Sequence, residues 1–357
     1  MSGPDITGEL ADRIAKDGPI SVSAYMEAIA ESYYASGHVF GKDGDFVTAP
    51  EVSQIFGELI GLWCVTAWQA LGQPRHINIV ECGPGRGTLM ADAMRAIGEV
   101  IPAFLNTASI HLVERSPALR GQQRTLLRAY DVEWHDDLST LPYGQLIIIG
   151  NEFLDALPVH QYERTAAGWC ERLVSYSSCE FSFTTAPLPA NVIDDTFDDA
   201  PVGSIIEHSV AVEDTVKKMA QLCIDRHGVA LMIDYGHTQS DIGETLQAMK
   251  DHSYHPVLKD PGTADITAHV DFALVAQTAR SEGASVLGPI EQGVWLRRIG
   301  ASVREAQLCA DKTPETAVTI KESVGRLIDA EGMGTLFKVI ALAPREIGSL
   351  AGFEVER

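Results

Sequence analysis

Long hydrophobic runs are missing from this chain of 357 residues. No stretch approaches the ~18 consecutive apolar residues of a membrane-spanning helix. Positive charge is scarce as well. The chain has 27 Lys and Arg against 49 Asp and Glu, a formal net charge of −22. That deficit opposes non-specific nucleic-acid binding, which needs a basic footprint, and it opposes docking on anionic lipid. It suits a neutral or cationic substrate. Cysteine is sparse and scattered, with six residues, no C-x-x-C and no zinc-finger spacing. Reduced thiols in a cytosol-like compartment follow. The pair His252 and His255 in "DHSYHP" reads as surface histidines of a turn, and no metal is expected. The first residues, "MSGPDITGELADRIAKDG", lack an apolar signal core. They carry Asp5, Glu9, Asp12 and Asp17, unlike an acid-poor transit peptide. The expected compartment is the cytoplasm. Repeats, low-complexity tracts and a clear linker are absent too.

What is present is an ordinary globular composition, 45% hydrophobic and 21% charged, with ample length for a sizeable core. Residues 1 to about 75 read as helical segments around a glycine-containing loop, and we expect them to form an N-terminal cap. From Ile77 the texture alternates. Short apolar runs, "INIVE", "SIHLVE", "QLIIIG" and "VALMID", have the look of buried parallel strands. Helix-like stretches, "TLMADAMRAI" and "PALRGQQRTLLRAY", lie between the first three. This order predicts an α/β fold with a mostly parallel, Rossmann-like sheet whose ligand site lies at the carboxyl ends of its strands. "GWCERLVSYSSCEFSFTTAPL" alternates on both sides of Ser177–Ser178, which predicts an inserted antiparallel hairpin. "ASVLGPI" and "GTLFKVIALAP" predict two final strands with helix between them. The expected division is a cap over residues 1–75 and a core over 76–357, with insertions at about 160–205 and 290–333.

The stretch "INIVECGPGRGTLM" carries the first chemistry. A P-loop needs a lysine after its last glycine, and none follows here. A dinucleotide fingerprint needs G-x-G-x-x-G. Gly83 and Gly85 fit it, but Gly87 comes one position early. Glu81, two residues before the first glycine, would repel a pyrophosphate and hold a cationic ligand. The glycines allow close approach of backbone to ligand.

"VECGPGRG" resembles motif I of class I S-adenosylmethionine-dependent methyltransferases, whose cofactor carries a sulfonium and an ammonium but no phosphate. "GDFVTAPEVSQIFGELIG", "NEFLDALPVHQ", "IDYGH", "ADITAHVDF" and "GMGTLFKVIAL" occur in that order, and the set resembles the MidA family over nearly the whole chain. The resemblance implies the class I methyltransferase fold and S-adenosyl-L-methionine as cofactor, with S-adenosyl-L-homocysteine as product. It also implies kinship with a mitochondrial protein arginine methyltransferase that modifies a core complex I subunit during assembly. A protein substrate, possibly such a subunit, is the implied partner. The alternatives are another protein or small-molecule acceptor, a cofactor-binding assembly factor with little catalysis, and an NAD-dependent oxidoreductase.

On this reading Glu81, Gly83, Gly85, Gly87 and Asn151 line the cofactor site. Glu114, ending the second strand, accepts the ribose hydroxyls, and Asp136 meets the adenine amino group with Trp134 or His135 beside the ring. Glu152 and Asp155 follow the strand "LIIIG", three apart, and share a face if that turn is helical. Paired carboxylates grip a guanidinium, which stays protonated at any ordinary pH. "NEFL" lacks the prolines of the [DN]-P-P-[YFW] loop of nucleobase methyltransferases, a second argument against a nucleic-acid substrate. Thr48, Glu51, Ser53 and Gln54 are candidates for a covering loop, or for a plain helix start at Pro50 and Glu51. Tyr235 of "IDYGH" belongs near the site edge. His269 is a candidate base or acceptor ligand, or a helix cap.

Overall fold

The computed structural model describes residues 5–35, 48–189, 193 and 197–354. The chain divides into two compact units, each assembled from three separate segments. The larger comprises residues 47–154, 215–238 and 270–357. Its sheet contains strands β1 (Ile77–Cys82), β2 (Ala108–Val113), β3 (Val132–His135), β4 (Leu146–Asn151), β5 (Val229–His237), β6 (Ser285–Glu291) and β7 (Phe337–Ala343). Their spatial order is β6-β7-β5-β4-β1-β2-β3, and the short strand Val270–Asp271 pairs with β5. The strands from β5 to β3 run parallel, while β7 is antiparallel to both β5 and β6.

The reason for this sheet is visible in its central strands. Every residue of β1 and of β4 is buried, so both faces are covered and the apolar runs are continuous rather than alternating. Ile79, Ile110, Leu112, Ile147 and Ile149 point into one core with Phe56, Ile60, Met90 and Met94. Those last four come from two helices, α1 (Gln54–Ala70) and α2 (Thr88–Val100). "IFGELIGLWCVTAW", which by sequence suits an interface or a core equally, is core: eleven residues of α1 are buried. Two glycines let the helices approach. A Cβ at Gly61 would lie 2.7 Å from the Ala93 carbonyl oxygen, and one at Gly57 would lie 2.7 Å from Asp92 Cβ.

One carboxylate lies under this helix pair. Glu58 is 1% exposed and accepts from Arg304 Nε at 2.7 Å and from Arg95 Nη2 at 2.8 Å. Burial alone would raise its pKa, but the two guanidinium groups hold it below the ordinary carboxylate value.

The smaller unit comprises residues 1–46, 155–214 and 239–269. Its strands Gly168–Ser177 and Glu180–Pro187 form the expected hairpin, with Ser177 opposite Glu180. His160–Thr165 and Ile205–His208 extend that sheet on one side and Ile20–Ser21 on the other. Gln247–Lys250, Ser253–His255 and Asp265–Thr267 form a second sheet. Leu10, Ile14, Tyr25, Met26, Val174 and Ile266 share a separate core. Residues 48–75, which the sequence places with the cap, group with the larger unit, because α1 packs on α2. The six cysteines are unpaired with one another, three of them buried.

The charge is divided unequally. The smaller unit holds 24 acidic and 7 basic residues, and the larger holds 25 and 20. Most of the net charge of −22 therefore sits on the smaller unit, a partition invisible until three distant segments are known to fold together.

Candidate functional site

The glycine loop follows β1 and leads into α2. Gly83, Gly85 and Gly87 all have positive φ, at 63°, 52° and 87°. That is the left-handed region in which a side chain is strained, which is why glycine recurs at alternate positions. A Cβ at Gly83 would lie 2.9 Å from the Phe153 ring. The turn closes with Gly87 N–H donating to the Pro84 carbonyl at 2.7 Å.

Glu81 sits at the end of β1, 3% exposed. Its Oε2 has no hydrogen-bond partner among the described residues. Burial pushes its pKa up to about 8. Behind the left-handed glycine loop there is thus a buried carboxyl oxygen without a partner among the described residues, and an acid in that place disfavours a phosphate. Asn151 Oδ1, at the end of β4, is a second buried acceptor without a partner among the described residues.

Glu114 follows β2. Its Oε1 accepts from Ser116 N at 2.8 Å and its Oε2 from Gln123 Nε2 at 3.3 Å. Burial raises its pKa against these hydrogen bonds. Trp134 is half-buried on β3, with the Arg124 guanidinium 4.6 Å from its ring centre. The Asp136 side chain is 78% exposed and paired with Arg120 Nη2 at 2.6 Å. The same arginine donates through Nε to the Glu114 carbonyl at 2.6 Å.

The turn after β4 differs from the helical turn that the spacing of Glu152 and Asp155 suggested. Residues 152–155 form bends and a turn, and Glu152 itself has φ of 48°. The two carboxylates therefore do not share a helix face, and Asp155 belongs to the smaller unit, buried, its carbonyl accepting from Ala268 N at 3.0 Å. Two groups hold the turn. Asp234, 1% exposed on β5, accepts from Phe153 N at 3.1 Å and Leu154 N at 2.9 Å through one oxygen, and from Tyr235 N at 2.9 Å through the other. Glu152 Oε1 accepts from Ala49 N at 3.0 Å and from Asn151 Nδ2 at 3.2 Å.

Ala49 opens a one-turn helix, Ala49–Val52, with Pro50 in its first turn. The covering-loop candidates divide here. Gly44–Val47 of that motif lie outside the described residues. Thr48 precedes the helix and makes no side-chain cap hydrogen bond. Glu51 Oε1 accepts from Thr88 Oγ1 at 2.7 Å, and Glu51 Oε2 lies 3.8 Å from Arg86 Nη1, so this turn joins the glycine loop to Glu152. Ser53 caps α1, and Gln54 Nε2 donates to Glu58 Oε1; both act within the helix start. Tyr235, near the carboxyl end of β5, is 7% exposed with its ring against Phe337. His269, in the smaller unit, donates its backbone N–H to Thr245 Oγ1 at 2.8 Å. It lines a cleft of about 440 Å³ with Glu244, Tyr254 and Val257.

Among the described residues one set of metal-type side chains converges, His111, Glu133 and His135, rather than the His252 and His255 pair. His111 Nδ1 faces His135 Nε2 at 3.0 Å, His111 Nε2 faces Asn78 Oδ1 at 3.2 Å, and His135 Nδ1 faces Thr140 Oγ1 at 3.0 Å. Each ring nitrogen thus has a protein partner, and the set reads as a hydrogen-bonded chain across three strands.

The residue missed by sequence reading is Gln123. It lies in the helix-like stretch after β2 with nothing local to mark it. Only its placement under the glycine loop does so, with Nε2 donating to the Gly85 carbonyl at 2.7 Å.

Comparison with known proteins agrees with this geometry. A family of S-adenosyl-L-methionine-dependent methyltransferases matches residues 59–290. The Drosophila melanogaster protein arginine methyltransferase NDUFAF7 homolog, mitochondrial, is 35% identical over 94% of this chain and 84% of its own. The Homo sapiens protein arginine methyltransferase NDUFAF7, mitochondrial, is 34% identical over 94% and 82%. A Burkholderia thailandensis protein, a methyltransferase candidate solved with S-adenosyl-homocysteine bound, has TM-score 0.83 and 29% identity, covering 99% of this chain and 96% of that one.

Proposed function

The chain belongs to this S-adenosyl-L-methionine-dependent methyltransferase family, and from that premise we propose that it methylates arginine on a protein. The cofactor supplies an electrophilic methyl on a sulfonium. In this proposal the backbone of Gly83, Gly85 and Gly87 lies against it, Glu81 and Asn151 meet its charged end, and Glu114 takes its ribose. Gly83 and Gly85 admit close approach because they carry no Cβ, and their positive φ keeps those positions for glycine.

The observation that carries the acceptor class is Glu152, a carboxylate at the carboxyl end of β4 held in a left-handed turn. A non-glycine residue with positive φ is strained and persists where its surroundings over-determine it. Here Asp234, Ala49 and Asn151 do so. A fixed carboxylate orients a guanidinium through charge-assisted hydrogen bonds and localises its charge, so that one nitrogen becomes nucleophilic. The net charge of −22 suits a basic protein segment around that arginine.

The proposed acceptor is a core subunit of respiratory complex I or its bacterial equivalent, and the proposed compartment is the cytoplasm. The curated relatives carry the word mitochondrial in their names. No described helix is long and apolar enough to cross a membrane. The test is incubation with methyl-labelled S-adenosylmethionine and respiratory proteins of the source cell, followed by peptide mass spectrometry. Methylarginine on one subunit supports the proposal. Label confined to another side chain or to a small molecule overturns the acceptor. The companion variants are Asp155→Asn and His269→Ala, where loss of turnover with cofactor affinity intact assigns either residue to the acceptor.

A further inference from the structure

Gln123 is fully buried and its amide is committed on both sides. Nε2 donates to the Gly85 carbonyl at 2.7 Å and to Glu114 Oε2 at 3.3 Å, while Oε1 accepts from Trp134 Nε1 at 2.8 Å. One side chain thereby ties together the glycine loop, the acid at the end of β2 and the indole on β3. Its helix, Pro117–Leu126, also lies beside the loop: a Cβ at Gly87 would stand in van der Waals contact with Gln123 Cγ, at 3.4 Å.

The chemistry of this junction is selective. It needs a neutral group that donates twice and accepts once, and glutamine supplies that combination. A glutamate here would set lone pairs against the Gly85 carbonyl and the Glu114 carboxylate. A leucine would leave Glu114 Oε2, the Gly85 carbonyl and the Trp134 N–H without this partner, which is costly for buried groups. The hydrogen bonds from Ser116 N and Gln123 Nε2 reach different oxygens of Glu114, so the carboxylate plane is fixed. A carboxylate accepts at about four positions, so acceptor capacity remains on both oxygens. A plane fixed in this way presents two parallel acceptors, which match two neighbouring hydroxyls.

We propose that Gln123 is a positioning residue that makes the site selective for the vicinal diol of a ribose, by locking the Glu114 carboxylate in register with the glycine loop and Trp134. The inference rests on the cofactor reading of Glu114 and adds a residue and a specificity to it. Loss of Gln123 frees Glu114 to rotate, so affinity for the diol falls while contacts to the rest of the ligand persist.

The experiment is calorimetric titration of the full-length protein at pH 8 with S-adenosylhomocysteine and with its 2′-deoxyadenosyl analogue. The proteins are the wild type, Gln123→Leu and Gln123→Glu, with apo melting temperatures measured alongside. The wild type is expected to prefer the ribose form by roughly 10-fold or more, since a group built to accept from a hydroxyl penalises its loss. In both variants that preference is expected to collapse toward equality. A merely structural role would weaken both ligands by one factor and leave the ratio intact, and that result overturns the inference. Gln123→Glu has nearly the native volume and retains the acceptor for Trp134, so it keeps the test open if the leucine variant melts early. Equal binding of both ligands by the wild type also overturns the inference. Failure of the wild type to bind S-adenosylhomocysteine at all overturns the cofactor reading of the site instead.

Discussion

The carboxylate of Glu152 accepts a hydrogen bond from the backbone amide of Ala49 at 3.0 Å, across 103 positions of sequence. The acid at the end of β4 is thus tied to the short helix whose Glu51 is joined to the glycine loop through Thr88. Two motifs that the sequence shows far apart are one polar cluster in space. An amide hydrogen bond to Oε1 needs an acceptor there, not a charge, and that separates structure from chemistry in the first prediction.

Glu152→Gln keeps an acceptor for Ala49 N and removes the charge. Cofactor affinity and melting temperature are expected to stay near wild type, while methyl transfer falls by roughly 10²–10³-fold, the usual cost of one preorganised electrostatic contact. Calorimetry beside a labelled-methyl assay checks both. Wild-type turnover in this variant would move the acceptor site away from β4.

Gly85→Val is expected to abolish measurable cofactor binding. Its φ of 52° is strained for any side chain and worse for a β-branched one. The same peptide supplies the carbonyl that Gln123 holds, so the strain spreads to Glu114. Unchanged affinity for S-adenosylhomocysteine would refute the assignment of the loop.

Glu81 gives a pH signature. Burial lifts its pKa from 4.5 to about 8 in the folded chain, so the folded state holds this proton more tightly than the unfolded one. Its stabilising contribution is complete below about 4.5 and is lost as pH rises through about 8. Glu81→Gln should therefore gain stability relative to wild type as pH increases across that window, and lose cofactor affinity. A cationic ligand that ionises Glu81 releases a proton near pH 7, so the binding enthalpy should depend on the buffer's ionisation enthalpy. Buffer-independent enthalpies would contradict a neutral Glu81 in the free protein.

Gly61→Ala should destabilise the larger unit by about 1–3 kcal/mol, the usual cost of overpacking. The added methyl would meet the Ala93 backbone, which cannot yield as a flexible side chain does. Chemical denaturation checks it, and a neutral result would mean that the two helices separate at little cost.

The sequence by itself determined the local chemistry. Continuous apolar runs specify strands buried on both faces, and alternating glycines with a preceding acid specify a loop that holds a ligand without phosphate. The hairpin around Ser177–Ser178 follows from period-two alternation, and the family motifs carry the cofactor with them. These features are legible because they depend on neighbours in the chain.

Tertiary structure decided which groups meet. Glu152 and Asp155 are three residues apart, yet a left-handed turn at Glu152 keeps them from sharing a helix face, and they belong to different units. Asp136 and Tyr235 are marked by local motifs, but only the fold shows that Arg120 pairs with the first and that the Phe337 ring packs on the second. Gln123 has no local mark at all; its meaning comes from the parallel order of β1, β2 and β3, which brings the ends of three strands beside one helix. The charge partition depends on three segments interleaving into one unit. Periodicity reports the environment of a residue along its own element. It carries no information on which distant element supplies the partner, because strand order and helix crossing are settled by packing of the whole core.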